Sequence, residues 1–177
     1  SNILRAFGAM RNMVVGSVRL NPEESLDEYE PFLLNEERRT DKTEFEIEFL
    51  FELDGTLQHY RYGFCFTGKA IEEEWLFETK DGEELCLFTR GEGNELDVDP
   101  QLFPEGVNKA DALHSNRLFL SLVAQLKGDV STSIIAWFRE SRFITALHTE
   151  QYIGRTFKFL NDDNVYSQHA KRFLRDI

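Results

Sequence analysis

Between Thr43 and Leu53 the chain alternates: Phe45, Ile47, Phe49, Phe51 and Leu53 are interleaved with Glu44, Glu46, Glu48 and Glu52. Side chains on a strand point to opposite faces in turn, so this segment predicts a strand with one buried and one wet face. Asp54-Gly55 then supplies a tight hairpin turn, and a return strand follows with Tyr60, Tyr62, Phe64 and Phe66 on one face. Gly68 marks the next turn, and a third strand is predicted to carry Ile71, Trp75 and Phe77 on one face. Asp81-Gly82 is a second hairpin signal, ahead of a short strand over Leu85 to Thr89. Gly91 and Gly93 lead to a last strand near Leu96 to Val98. Consecutive hairpins make an antiparallel meander of about five strands.

Helical spacing brackets this sheet. Ile3, Phe7, Met10 and Val14 recur at intervals of three and four, which predicts a helix over residues 1–16, with Gly16 ending it. Residues 21–42 are acidic and contain Pro22 and Pro31, and read as a loop anchored by Phe32-Leu33-Leu34. From Asp111 the period lengthens again. Leu113, Leu118, Leu122, Val123 and Leu126 predict a helix ending before Gly128, and Ser131 or Thr132 can cap another carrying Ile134, Ile135, Trp137 and Phe138. Asn161, Asp162 or Asp163 can cap a last helix with Ala170, Phe173 and Leu174 on its apolar side. No internal repeat is present. The expected fold class is α+β: one domain over residues 1–177, with a helix at 1–16, an antiparallel sheet at 43–98 and a helical part at 111–177.

Composition narrows the functions. A chain of 177 residues can bury roughly 70% of its unfolded surface, and 16 Phe point to an aromatic core. The net charge of −12, with no basic cluster, argues against direct nucleic-acid contact, which needs Lys and Arg to neutralise phosphates. No apolar stretch is long enough to span a membrane, and no signal-peptide pattern opens the chain. Cys65 and Cys86, both in apolar stretches, are expected to be buried thiols, in keeping with a reducing cytoplasm. His59, His114, His148 and His169 are too scattered for a zinc site, and no Gly-x-Ser-x-Gly elbow is present. Glu72-Glu73-Glu74 reads as a solvated edge and Gly91-Glu92-Gly93 as a turn. Trp75, Trp137, Tyr60 and Tyr62 read as core.

The first residues carry the one pattern that bears on chemistry. In a Gly-x-x-x-x-Gly-Lys-Ser/Thr loop, backbone amides cradle phosphates, the Lys reaches the terminal ones, the following hydroxyl coordinates Mg²⁺, and a helix runs on. Here an apolar-faced helix begins at Ser1, as it would if the chain were cut between that Lys and that Ser; the alternative is that Ser1-Asn2 is left over from tag removal. Ser1-Asn2-Ile3-Leu4-Arg5-Ala6-Phe7 resembles the Gly-Lys-Ser-Asn helix of the ABC/SMC-like, AAA-labelled predicted ATPases that include phage abortive-infection proteins. Phe45-Glu46-Ile47-Glu48-Phe49, Tyr60-Arg61-Tyr62-Gly63-Phe64 through Glu73-Glu74-Trp75-Leu76, and Asn116-Arg117-Leu118-Phe119-Leu120-Ser121 through Ala124-Gln125-Leu126 resemble that family in the same order, continued by Ile135-Ala136-Trp137-Phe138.

The resemblance implies part of a P-loop ATPase lobe whose intact form binds and hydrolyses ATP with Mg²⁺ in the cytoplasm and self-associates through the ATPase module. It implies that Ser1 coordinates the metal, that Ser1 and Asn2 belong to the nucleotide site, and that Gln125 is a candidate for the glutamine that senses the terminal phosphate. The departures are as informative. No Gly-x-x-x-x-Gly-Lys, no apolar strand ending in Asp-Glu and no Ser-Gly-Gly signature occur in these residues. Phosphoryl transfer needs those parts together, so these residues alone are expected to be inactive and to hold no cofactor. Whether the chain counts as an enzyme stays open. The alternative is a non-enzymatic protein-interaction domain with an acidic surface; a small enzyme built on the carboxylates is a third reading.

Overall fold

The alternating segments form five strands, β1 (Thr43–Leu53), β2 (Thr56–Phe66), β3 (Ile71–Lys80), β4 (Glu83–Arg90) and β5 (Leu96–Val98). They pair antiparallel in chain order, as the meander requires. Helix α1 (Asn2–Gly16) precedes the sheet, and α2 (Phe119–Gln125), α3 (Asp129–Glu140) and α4 (Thr149–Asn161) follow it. The α+β class is therefore the one expected. The computed structural model describes residues 2–26, 28, 42–53, 55–141, 149–161, 167, 168, 171 and 172. It divides into two units, residues 1–141 and 142–177, the second containing α4. Ser1, Asp54, Phe32-Leu33-Leu34, Asp162, Asp163, Ala170, Phe173 and Leu174 lie outside the described residues.

Register builds an aromatic inner face. Phe45 pairs with Phe64, Ile47 with Tyr62 and Phe49 with Tyr60, and the row through Tyr62 continues to Leu76, Phe88 and Val98. Tyr60, Tyr62, Phe64, Phe66, Leu76 and Phe88 are buried. The helices close over this face with rings. Trp137 of α3 stacks on Phe49 at 4.3 Å, Phe138 meets Tyr62 at 6.1 Å, and Phe119 of α2 meets Phe88 edge-on at 4.9 Å. Burying each such side chain is worth about 1.5–3 kcal/mol, so area, more than ring geometry, holds the layers together. Helix α1 adds Met10, Met13 and Val14.

The outer face of the sheet follows a different pattern from the expected one. Trp75 and Phe77 lie there, while Ile71 pairs with Phe66 on the inner face. A bulge at Cys65/Phe66 shifts the register, so three residues that share parity in sequence do not share a face. Trp75 is only half-buried, and its indole N–H donates to Glu46 Oε2 at 2.7 Å. Its ring crosses Gly63: a Cβ there would lie 2.5 Å from the indole and 2.8 Å from the Phe45 carbonyl oxygen. The Asp-Gly hairpin between β3 and β4 has φ of 53° at Asp81 and 83° at Gly82, the left-handed pair that a tight two-residue turn needs.

Other expectations shift for local reasons. The helix expected over residues 113–126 begins only at Phe119, because residues 115–118 are tied to neighbours: Ile71 N–H donates to Ser115 O at 2.8 Å, and Leu118 is extended. Helix α3 starts at Asp129, two residues before the expected cap. Its amides of Val130 and Ser131 donate to the Glu105 carboxylate at 3.0 and 2.8 Å, so a distant side chain does the capping. Ile3, expected on the apolar face of the first helix, is 79% exposed. Cys65 is buried as expected, but Cys86 is exposed on the outer face.

Two outcomes follow from this packing. Gly63→Ala should lower unfolding free energy by about 1–3 kcal/mol in urea melts, because the backbone oxygen of Phe45 cannot move aside as a side-chain tip can. Burial, with Glu44 and Glu73 nearby, pushes the Cys65 thiol up to about 12. A disulfide reagent at about pH 8 should therefore modify Cys86 in the native protein and Cys65 only after unfolding.

Candidate functional site

Helix α1 begins with no acidic residue in its first turn and ends with no basic one, so its dipole is uncompensated at both ends. The helix dipole and Arg5, exposed one turn in, both make the N-terminal end positive, and Glu28 opposes them from across the groove. Small residues beside this end leave a groove of about 620 Å³, lined by Asn2, Arg5, Ala6, Ala9 and Asn12 of α1 with Glu28 and with Thr43 and Phe45 of β1. Amides at a helix start, a guanidinium and two carboxamides suit an anion. Ser1, the expected metal ligand, lies outside the described residues, and Asn2 is exposed at the groove.

Gln125 sits elsewhere. It ends α2 and lines a depression of about 280 Å³ with Val14, Arg19, Thr132 and Arg139. Asn2 and Val14 lie twelve positions apart on α1, about 18 Å of helix. The structure thus places Asn2 and Gln125 toward opposite ends of α1 and does not bring them to one phosphate. Gln125 is an exposed helix-end residue.

A polar cluster that sequence reasoning missed lies in the core. Glu74, expected to be solvated, is fully buried on the inner face of β3. Its Oε1 accepts from the Tyr62 hydroxyl at 2.9 Å and the Leu120 amide at 3.0 Å; its Oε2 accepts from the Phe119 amide at 2.6 Å. It thus caps α2 from across the sheet, doing what no residue before Phe119 does, since Leu118 has no side-chain acceptor. Arg90, equally buried, lies 3.7 Å from Glu74 and donates to the carbonyls of Arg117 at 2.6 Å and Ser115 at 3.1 Å. Asn116 then donates to the carbonyls of Asn21 and Glu24, at 2.7 and 2.9 Å. The only sequence signal was a Glu in an otherwise inward-facing register, and the bulged register hid it.

Burial dominates the electrostatics here. It raises the Glu74 carboxyl above its ordinary range, against the pull of Arg90 and of the Leu120 and Phe119 amides, and it lowers Arg90, against Glu74. The Tyr62 hydroxyl is held well above its usual value, by burial and then by Glu74. With both carboxylate oxygens of Glu74 engaged inside the core, the cluster positions α2.

On the outer face, Arg61 reaches Glu84 through two bonds of 2.7 Å and Glu46 at 2.8 Å, and its guanidinium lies 4.4 Å above the Phe77 ring. Among the described residues no group of three or more His, Cys, Asp or Glu could hold a metal ion. No described helix is long and apolar enough to cross a membrane. The chain matches no family model, no curated protein and no solved structure.

The raised Glu74 carboxyl has a direct pH consequence. The folded chain binds that proton more tightly than the unfolded one, so the contribution is complete below the ordinary value of 4.5 and is lost as pH rises through the higher folded value. Glu74→Gln presents an amide N–H₂ to donors and leaves the buried Arg90 without its counter-charge, so it should cost about 3–5 kcal/mol. The stability gap between wild type and Glu74→Gln, from urea midpoints, should narrow as pH is raised upward from about 4.

Proposed function

We propose that these residues form the antiparallel-sheet and helical part of an ABC/SMC-like P-loop ATPase lobe, with α1 as the helix that follows a phosphate-binding loop. The observation that carries the reading is the start of α1, whose first turn holds no acidic residue, opening on a groove that Arg5 also lines. The ordered sequence resemblance supports it: helix first, then sheet, then helices. The residues at the groove fit the anion and not its Mg²⁺. Asn2, Arg5 and the α1 amides suit a polyphosphate, while Glu28 is the one carboxylate among the lining residues. The catalytic carboxylate and the lysine would come from other parts of the intact ATPase, so no hydrolytic step is assigned to these residues. In the intact form, ATP bound at this end would bring two modules together, in a role that the resemblance extends to phage defence.

The reading makes two separable demands. The gene should encode Gly-x-x-x-x-Gly-Lys directly ahead of Ser1, and an unrelated sequence there removes the P-loop assignment. In the longer chain carrying that loop, Ser1→Ala should lower Mg²⁺-dependent ATP hydrolysis at least about tenfold, equivalent to losing some 1.4 kcal/mol of stabilisation. The 177-residue chain alone should bind Mg·ATP more weakly than about 1 mM by calorimetry. Micromolar binding by that chain would contradict the division of labour proposed here.

A further inference from the structure

The two edges of the sheet are unequal. β5, at one edge, has three residues, whereas β1, at the other, has eleven. β1 pairs with β2 along its whole length, from Thr43 opposite Phe66 to Leu53 opposite Thr56, without a bulge. Among the described residues nothing pairs with its other side. Every second N–H and C=O of a strand roughly 37 Å long therefore faces outward. Proteins usually blunt such an edge by shortness, a bulge, a proline, charged side chains or a covering segment. β1 is long, unbulged and free of proline, and its one such device is its row of glutamates, which bars like-charged strands and admits a basic one.

Its side chains define what would fit beside it. On the outer face stand Glu44, Glu46, Glu48 and Glu52; Glu46 is engaged by Arg61 and Trp75, and Glu48 meets His59 at 2.6 Å. Glu44, Glu48 and Glu52 have no arginine or lysine partner among the described residues. On the inner face Phe45, Ile47 and Phe51 are only half-buried, although Tyr60, Tyr62, Phe64 and Phe66 beside them on β2 are fully covered. The apolar row is thus left open at its margin.

A neighbouring strand places its residues directly opposite those of β1, where opposite charges attract and like charges repel. A second copy of β1 would set glutamate against glutamate. A strand with basic residues on one face and apolar residues on the other matches both rows. We propose that the free edge of β1 binds an extended segment of a partner protein in which Lys or Arg alternates with apolar residues, added as a sixth strand. Main-chain bonds supply affinity, and the two alternating rows supply specificity. This does not depend on the nucleotide reading.

The test uses the 177-residue chain and a capped synthetic peptide of about ten residues, alternating Lys and Val. Controls are a peptide of the same composition with lysines and valines in separate blocks, and the alternating peptide N-methylated at every second residue. The alternating peptide should bind saturably and protect alternate β1 amides from hydrogen exchange. Both controls should bind at least about tenfold more weakly, a difference of some 1.4 kcal/mol. The triple change Glu44→Lys, Glu48→Lys, Glu52→Lys, all on exposed positions, should reverse the preference toward an alternating Glu–Val peptide. Equal binding of the blocked or methylated peptide would overturn the proposal, by reducing it to charge attraction. So would unchanged exchange at β1, or protection of those amides before any peptide is added.

Discussion

One buried carboxylate joins the two layers of the first unit. Glu74 projects from the middle of β3 into the inner face and holds the first amides of α2, while Tyr62 on the adjacent strand fills its remaining acceptor site. Arg90, one strand further on, fixes the carbonyls of Ser115 and Arg117 just before that helix. From there Asn116 and Arg117 reach the carbonyls of Asn21, Glu24 and Leu20, beyond the end of α1. Ser121 closes the circuit by donating to Val14 O at 2.7 Å. A buried ion pair of this kind adds little net stability, because desolvation offsets most of its attraction. Breaking it leaves an unpaired charge, which costs several kcal/mol. Its effect is therefore to choose one placement of α2 among the many that an aromatic face alone would accept.

That choice has consequences on both sides of the sheet. Once α2 and α3 cover the inner face, α1 lies against α3 with Phe7 packed on Phe138 and Trp137. Its positive end and its small residues are then left beside the start of β1, where the groove opens. On the outer face glutamates dominate, and the few apolar rings are organised by charge: Trp75 by Glu46, Phe77 by Arg61. Exposed pairs such as Arg61 with Glu84 contribute about 0–1 kcal/mol each. They order the surface without determining the fold.

Long-period and two-residue patterns were legible in the chain because they report which side of an element is wet. The alternation from Glu44 to Leu53 defined β1, and Asp81-Gly82 marked a hairpin by its demand for left-handed backbone. Leu118 and Leu122 signalled a helix, but its start was misplaced because its cap comes from a glutamate 45 residues away in sequence. The start of α3 was misplaced for the same reason, with Glu105 as the distant acceptor. Trp75 and Ile71 show the limit of parity. A single bulge put them on opposite faces, and no local preference announces a bulge.

Amphipathic periodicity and turn chemistry are properties of a few consecutive residues, so the sequence by itself determined the strand count, the meander and the α+β class. It also offered Asn2 and the first helix as the place to look for anion binding. Only the tertiary structure decided that Glu74 is buried, that Gln125 stands far along α1 from Asn2, and that among the described residues no strand pairs with the outer edge of β1. Those outcomes depend on which residues from distant segments meet, and pairing, bulges and helix placement are settled by the packing of the whole core.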